Sequence, residues 1–217
     1  MTDNATQITE RLASSETGMQ PWLWLPLMRL LAQGDPVDID DLAATTGRPV
    51  DEVRSALAAI PDTEYDGSGR IIGQGLTQRA TQHRFEVDGE QLYTWCALDT
   101  LIFPTILGTS GIIESRYRTG TPVRVTVDSS GVRSVEPSTA VVSLIAPDDM
   151  SSVRSSFCDQ VHFFASPEEA EPWLASHEGG SVISVPEAFA LGASMAEKML
   201  AETATNRPSQ ATSHGCC

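Results

Sequence analysis

Apolar positions in the first third of the chain recur at helical spacing, in short blocks closed by glycine or proline. The first block covers 22–32 and stops at Gly34. Pro26 inside it predicts either a kink or a helix that begins there. Asp38 stands where it caps a helix over 39–45, which stops at Gly47. A third block covers 50–60: Val53, Leu57 and Ile60 share one face and Pro61 ends it. Asp51 and Glu52 fall in its first turn, where the helix dipole favours negative charge. Residues 63–66 and 70–73 flank Gly67-Ser68-Gly69 and read as a hairpin. Three helices followed by a two-stranded wing is the order of a winged helix, so residues 1–80 form a winged-helix-like region. Residues 1–18 show no period and read as loose or partly helical.

The pattern changes after residue 80. A strand over 84–87 meets a turn at Asp88-Gly89, and 91–102 reads as a helix closed by Pro104. Strand-like runs follow at 112–117, 122–127, 132–136 and 139–145, the last rich in β-branched residues. Residues 147–155 read as a short helix and 157–164 as a strand. Ser166 is placed to cap a helix reaching 176, and a final helix covers 186–204. The class is α+β: the winged-helix-like N-terminal region, a core over 81–204 of short antiparallel sheets packed with helices, and a flexible polar tail over 205–217. No internal repeat is visible.

Composition narrows the functions open to such a chain. Among 217 residues, 29 are Asp or Glu and 14 are Lys or Arg, a formal net charge of −15. Nucleic-acid binders need a basic face, because phosphate contacts supply most of their affinity. The third helix, which would be the reader, carries Arg54 but also Asp51 and Glu52. The front region therefore reads as a structural or partner-docking module, with no nucleic-acid partner and no anionic membrane partner. No apolar run reaches the roughly 20 residues that span a bilayer. The polar, acidic N-terminus is not a secretory signal, which predicts a cytoplasmic protein with reduced thiols. The four cysteines, Cys96, Cys158, Cys216 and Cys217, have no zinc-site spacing.

Two places carry candidate chemistry. On the helical reading, Cys96 and Asp99 lie at i and i+3 on one face, amid Trp95, Leu98, Leu101, Ile102 and Phe103. Isolated cysteines are more often core residues than reactive ones, so on this segment alone both readings stand. Cys158, between Phe157 and Asp159, is open to the same two readings. His162, beside aromatics, reads as a structural histidine.

Several segments together resemble the organomercurial (alkylmercury) lyases. They are Thr63-Glu64-Tyr65-Asp66, Ile71-Ile72-Gly73-Gln74-Gly75-Leu76-Thr77, and the run from Leu92 through Trp95-Cys96-Ala97-Leu98-Asp99 to Pro104. Ser156-Phe157-Cys158, Val161-His162-Phe163-Phe164-Ala165-Ser166 and Glu187-Ala188-Phe189 continue the series, in the family's order over about residues 20–195. The resemblance implies an enzyme that cleaves carbon–mercury bonds by protonolysis, for mercury detoxification, with Cys96, Cys158 and Asp99 as its catalytic groups. It implies that mercury is substrate and product, held by Cys96 and Cys158 with Asp99 as the further donor, and with no resident cofactor. External thiols then remove Hg(II), and a mercuric reductase is the implied acceptor. The chain departs from the family where a second cysteine often follows the later catalytic one, since Asp159 stands there. Arg116 or Tyr117 also occupies the stretch where a further cysteine is often found.

Two other function classes compete. A thiol-based carrier would bind mercury with the same cysteines and release no hydrocarbon. A metal-responsive winged-helix regulator would need DNA binding, which the charge opposes. Asp99 beside Cys96 favours the enzyme, since a carrier needs no proton donor there. The adjacent Cys216-Cys217, near His214, could collect mercury from the core site and hand it on; a chance C-terminus is the competing explanation.

Overall fold

The computed structural model describes residues 8, 20–146 and 152–205, with side chains to residue 201. Most of 1–18, the start of the short helix expected over 147–155, and the tail with Cys216 and Cys217 lie outside the described residues.

Three helices open the described chain: α1 (Pro21–Leu31), α2 (Ile39–Thr46) and α3 (Val50–Ala58). Pro21 occupies the first turn of α1, where a missing N–H costs nothing, while Pro26 lies within the helix. Asp38 is at the N-cap of α2, but its side chain makes no capping hydrogen bond. Gly47 ends α2 at φ 67, a left-handed conformation that glycine adopts without strain. An antiparallel hairpin follows, β1 (Glu64–Tyr65) with β2 (Ile71–Gln74).

That hairpin does not stand apart. It forms one edge of an eight-stranded sheet in the order β1-β2-β3-β5-β4-β6-β7-β8, joined through β3 (Leu76–Thr77). The other members are β4 (His83–Val87), β5 (Glu90–Thr94), β6 (Gly111–Ser115), β7 (Val123–Asp128) and β8 (Gly131–Glu136). A second sheet, β10-β9-β11, joins β9 (Val141–Leu144), β10 (Phe163–Phe164) and β11 (Ser181–Ser184). Alternation along β4 sends Phe85 and Val87 inward, and Ile113 of β6 and Val125 of β7 join them. Helices α4 (Ala97–Leu107) and α7 (Val185–Thr205) pack against each other. Gly192 permits that approach, because a Cβ there would lie 2.7 Å from Ile102 Cγ1. One hydrophobic core runs from Leu23 and Leu27 of α1 through Phe103 of α4 to Ala188 of α7. Two further helices are α5 (Val153–Ser156) and α6 (Pro167–Ser176). Among the described residues no helix is long and apolar enough to cross a membrane.

Two expectations around the candidate residues are corrected. The helix expected over 91–102 is strand up to Thr94, and α4 begins only at Ala97. Asp88 and Gly89, at φ 50 and 88, make a two-residue hairpin turn that pairs Val87 with Glu90 and commits the next residues to β4's partner strand. Leu92 and Thr94 then point inward. Pro104 does not close the helix; the left-handed Gly108 does, at φ 71. The strand expected over 157–164 is real only at Phe163–Phe164. Gln160 N donates to Phe157 O and Val161 N to Cys158 O, and these i to i+3 bonds wind Cys158–Gln160 into a 3-10 turn. Strands β3, β5 and β11 are additions to the expected set.

His83 is fully buried in the sheet, with Nδ1 2.9 Å from Ser115 Oγ and its ring facing His162 at 6.2 Å between centroids. Burial, reinforced by the neighbouring His162, drives its pKa down to about 3, and burial drives His162 down to about 4. Both rings are neutral in the folded state at neutral pH. Below the ordinary histidine pKa of about 6.5 the unfolded chain takes up protons that the folded chain refuses, so stability is lost as pH is lowered. Each ring's contribution approaches a slope of about 1.4 kcal/mol per pH unit near pH 5, where the unfolded imidazole is charged and the folded one is neutral. Urea unfolding at pH 7, 6 and 5 should show this contribution as a difference between the two chains, His83→Leu losing stability less steeply than wild type as pH falls. An unchanged slope would remove His83 from the account.

Candidate active site

Cys96 occupies the joint between β5 and α4. The chain arrives extended, Trp95 N donates to Gly75 O at 2.9 Å, and Cys96 adopts φ −141 and ψ 169 as the N-cap of α4. Its Sγ accepts a hydrogen bond from Asp99 N at 3.4 Å, and Asp99 Oδ2 accepts one from Cys96 N at 3.2 Å. This reciprocal pair is a capping box with a thiol in the place usually taken by a hydroxyl. Cys96 and Asp99 are therefore not two residues on one helical face, as expected. One caps the helix and the other stands on its first turn. The cap aims the thiol at the N-terminal end of α4, where unpaired N–H groups and the dipole favour negative charge. Thr94 Oγ1 holds Cys96 O at 2.8 Å and Thr100 Oγ1 holds Ala97 O at 2.6 Å, so the joint is fixed on both sides.

The second cysteine arrives from the 3-10 turn. Ala97 N, at the start of α4, donates to Val161 O at 3.1 Å, which brings the turn against the helix end. Cys96 Sγ, Cys158 Sγ and a carboxylate oxygen of Asp99 then all lie within 4.8 Å of one another. Among the described residues this is the only cluster of three or more His, Cys, Asp or Glu side chains arranged to hold a metal ion. Cys96 is 0% exposed and Cys158 4%, while Asp99 is half-buried. Trp95, Ala97, Leu98 and Phe157, their neighbours in the chain, are all buried and give the site an apolar setting. His162 lies apart from the three groups: Nδ1 is 2.6 Å from Gln82 Nε2 and the ring packs on Tyr117 at 4.4 Å.

The charges follow from burial. Desolvation pushes the Cys96 thiol well above its ordinary range, with the hydrogen-bonded Cys158 thiol and the Asp99 charge acting the same way; the Asp99 N–H opposes them. At Cys158 the hydrogen bond from Cys96 pulls the pKa down, but burial and the charges of Asp99 and Asp159 outweigh it together with Arg154, and the net shift is upward. Burial raises Asp99 to about 6, although the Cys96 thiol and N–H both stabilise its carboxylate. At neutral pH the pocket thus holds two thiols and one carboxylate of unusually high basicity. A soft metal that displaces the thiol protons finds a proton acceptor at hand.

Arg154 carries no signal in the sequence pattern. Its guanidinium lies 4.9 Å from the Trp95 ring centroid and its charge acts on Cys158. Asp159, in the position that departs from the family pattern, is exposed, and burial and nearby Asp62 raise its pKa while Arg154 opposes them.

Comparison with known proteins gives the family. The family profile described as "Alkylmercury lyase" matches residues 76–197, and "Helix-turn-helix domain of alkylmercury lyase" matches residues 3–75. The chain belongs to the alkylmercury lyase family. The alkylmercury lyase of Streptomyces lividans is 51% identical over 223 residues, covering 100% of both chains. The alkylmercury lyase of Bacillus cereus is 52% identical, covering 86% of this chain and 87% of its own, and that of Pseudomonas putida is 45% identical, covering 85% and 87%. Among solved structures, the mercury-bound form of MerB2 superposes with a TM-score of 0.72 at 23% identity, covering 91% of this chain and 100% of that one; at this identity the likeness speaks for the fold.

In an alkylmercury lyase with this geometry, one Hg(II) should silence both core thiols. In a Cys216→Ser, Cys217→Ser variant, titration with Hg(II) should end at one equivalent with no thiol left for a disulfide dye under denaturing conditions. An end point at two equivalents would show that the two thiols bind mercury separately.

Proposed function

We propose that this chain is an organomercurial lyase that cleaves the carbon–mercury bond of alkyl- and arylmercury compounds, with Cys96, Cys158 and Asp99 as the reacting groups. One observation carries the reading: two buried thiols and a carboxylate of raised basicity share a site 4.8 Å across.

The chemistry follows from the donor set. Thiolate is the softest common protein ligand, and mercury is a soft metal. One cysteine captures R–Hg⁺ as its thiolate and Asp99 takes the displaced proton. The second thiolate adds electron density to mercury and weakens its bond to carbon. Asp99 returns the proton to the leaving carbon; the C–Hg bond breaks as the C–H bond forms. The sum is R–Hg⁺ plus two thiols giving R–H, one Hg(II) bound by two thiolates, and one proton released to water. The capping hydrogen bonds keep the Asp99 carboxylate beside Cys96 through the cycle. Buried surroundings suit an organic R group and limit competing water.

Mercury is here substrate and product, and no resident cofactor enters the reaction. Low-molecular-weight thiols remove Hg(II), and a mercuric reductase is its acceptor, consistent with action in a reducing cytoplasm. Residues 1–80 serve as a winged-helix-like structural module that binds no nucleic acid, residues 81–204 as the catalytic core, and 205–217 as a tail bearing Cys216 and Cys217. The acidic balance and the Arg48–Glu52 pair across the start of α3 support a front module that does not grip phosphate.

Headspace gas chromatography of phenylmercury incubated with excess thiol tests the reading. Wild type should release benzene, Cys96→Ser and Cys158→Ser none, and Asp99→Ala at least about a hundredfold less, within the usual worth of a positioned acid–base. Stoichiometric mercury binding without benzene would make the chain a carrier. The pH dependence has a fixed sign. Asp99 must be ionised to receive the thiol proton, so kcat/KM should rise with pH and level off above about 6. In Asp99→Asn that step should vanish.

A further inference from the structure

The turn that carries Cys158 is tethered on both sides, and the two tethers belong to different parts of the molecule. Downstream, it is tied to the core. Val161 O accepts from Ala97 N, Gln160 O accepts from Ser143 Oγ at 3.0 Å, and Gln160 Oε1 meets His177 Nε2 at 2.9 Å. Upstream, among the described residues, the turn is preceded by α5, a single turn of four residues. A helix this short does not hold itself together. Its partners lie about 90 residues earlier in the chain, at the hairpin that follows α3.

Two carboxylates make that upstream tether. Asp62 Oδ2 accepts from Ser152 Oγ at 2.7 Å and from Arg154 N at 3.4 Å, so one carboxylate oxygen gathers the N-cap and first turn of α5. Ser152 Oγ in turn accepts from Ser155 N at 3.1 Å. Glu64 pairs with the Arg154 guanidinium. It is buried at 8% exposure, and its other oxygen accepts the Thr77 hydroxyl, so it is held rigidly against the sheet. Arg154 spans from Glu64 to the face of Trp95, the residue before Cys96. Asp62 sits at φ 68, a left-handed conformation uncommon outside glycine, asparagine and aspartate. Cys96 needs no such help, since it is fixed by its own capping box and by Thr94.

We infer that Asp62 and Glu64 are positioning residues for the lyase reaction: through Ser152 and Arg154 they hold α5, and hence the Cys158 thiol, within reach of mercury already captured at Cys96. The N-terminal module is then a working part of the active site. Its hairpin sets where the second thiolate stands. The inference rests on the proposed lyase reaction, and it assigns the two thiols unequal mobility. Capture at Cys96 survives loss of the tether, while the step that needs both sulfurs does not.

Asp62→Asn, Ser152→Ala and Glu64→Gln variants of the full-length chain separate these steps. The first two alter a half-buried contact without touching the core, which keeps the test open if Glu64→Gln fails to fold. Each should bind phenylmercury with wild-type stoichiometry and a KM within about twofold. Each should release benzene roughly ten- to a hundredfold more slowly, the scale expected when a reacting group is displaced by an ångström. Hg(II) product should also pass to an external dithiol at lower concentrations, because it is held by one firm thiolate rather than two. Arg154→Lys, which keeps a cation opposite Glu64, should recover more activity than Arg154→Met. Wild-type turnover in Asp62→Asn and Ser152→Ala would overturn the inference and leave the lyase reading intact. No benzene from the wild-type protein would overturn both.

Discussion

The turn at Cys96, where strand β5 becomes helix α4, is the constraint on which the rest of the site depends. A chain leaving an extended strand for a helix exposes several N–H groups without partners. Here the Cys96 thiol takes one and the Asp99 carboxylate takes another. The same two bonds that make the helix start also fix a sulfur and a carboxylate side by side. In the proposed mechanism local folding and catalytic geometry are one arrangement, so neither side chain can be altered for chemistry without disturbing the cap. The loss of a cap of this kind typically costs about 1 kcal/mol, which a core of this size can absorb.

Everything around the joint serves to hold it still or to bring the second thiol to it. Thr94 and Thr100 bind the carbonyls on either side. The sheet presents β5 between β3 and β4, which fixes the direction from which the chain arrives. Phe103 packs beneath, close enough to Gly75 that a Cβ there would lie 3.2 Å from the ring. The Cys158 turn docks through Ala97 and is steadied from the front module through Asp62 and Glu64. Burial keeps both thiols protonated and leaves Asp99 unusually basic, which is what the proposed proton transfer requires.

Much of this was legible in the order of residues, and the exceptions have physical causes. The three front helices showed because their apolar faces are amphipathic and their ends carry Gly34, Gly47 and Pro61. α4 was misplaced because the apolar run from Trp95 onward is buried on every side, so it has no helical period to mark its start. Residues 90–94 are short and half polar, and only the Asp88-Gly89 turn betrays them as strand. β3 is a two-residue piece set between β2 and β5, and β11 is a short piece held by β9, distant in the chain. The three site residues were named through their resemblance to a family. Spacing alone left Cys96 and Cys158 as two plausible core cysteines, since nothing local says that segments so far apart meet. Arg154 and the Asp62–Glu64 tether were invisible for the same reason.

Protonolysis by two thiolates and one carboxylate is the central claim, and the fate of the proton tests it most directly. Purified protein equilibrated in deuterium oxide with excess thiol would be given phenylmercury, and the headspace benzene examined by mass spectrometry against a Cys96→Ser control. The account predicts benzene carrying one deuterium per molecule, formed by the wild-type chain and absent from the control. Benzene without deuterium, or phenylmercury that stays intact on the two cysteines, would contradict it.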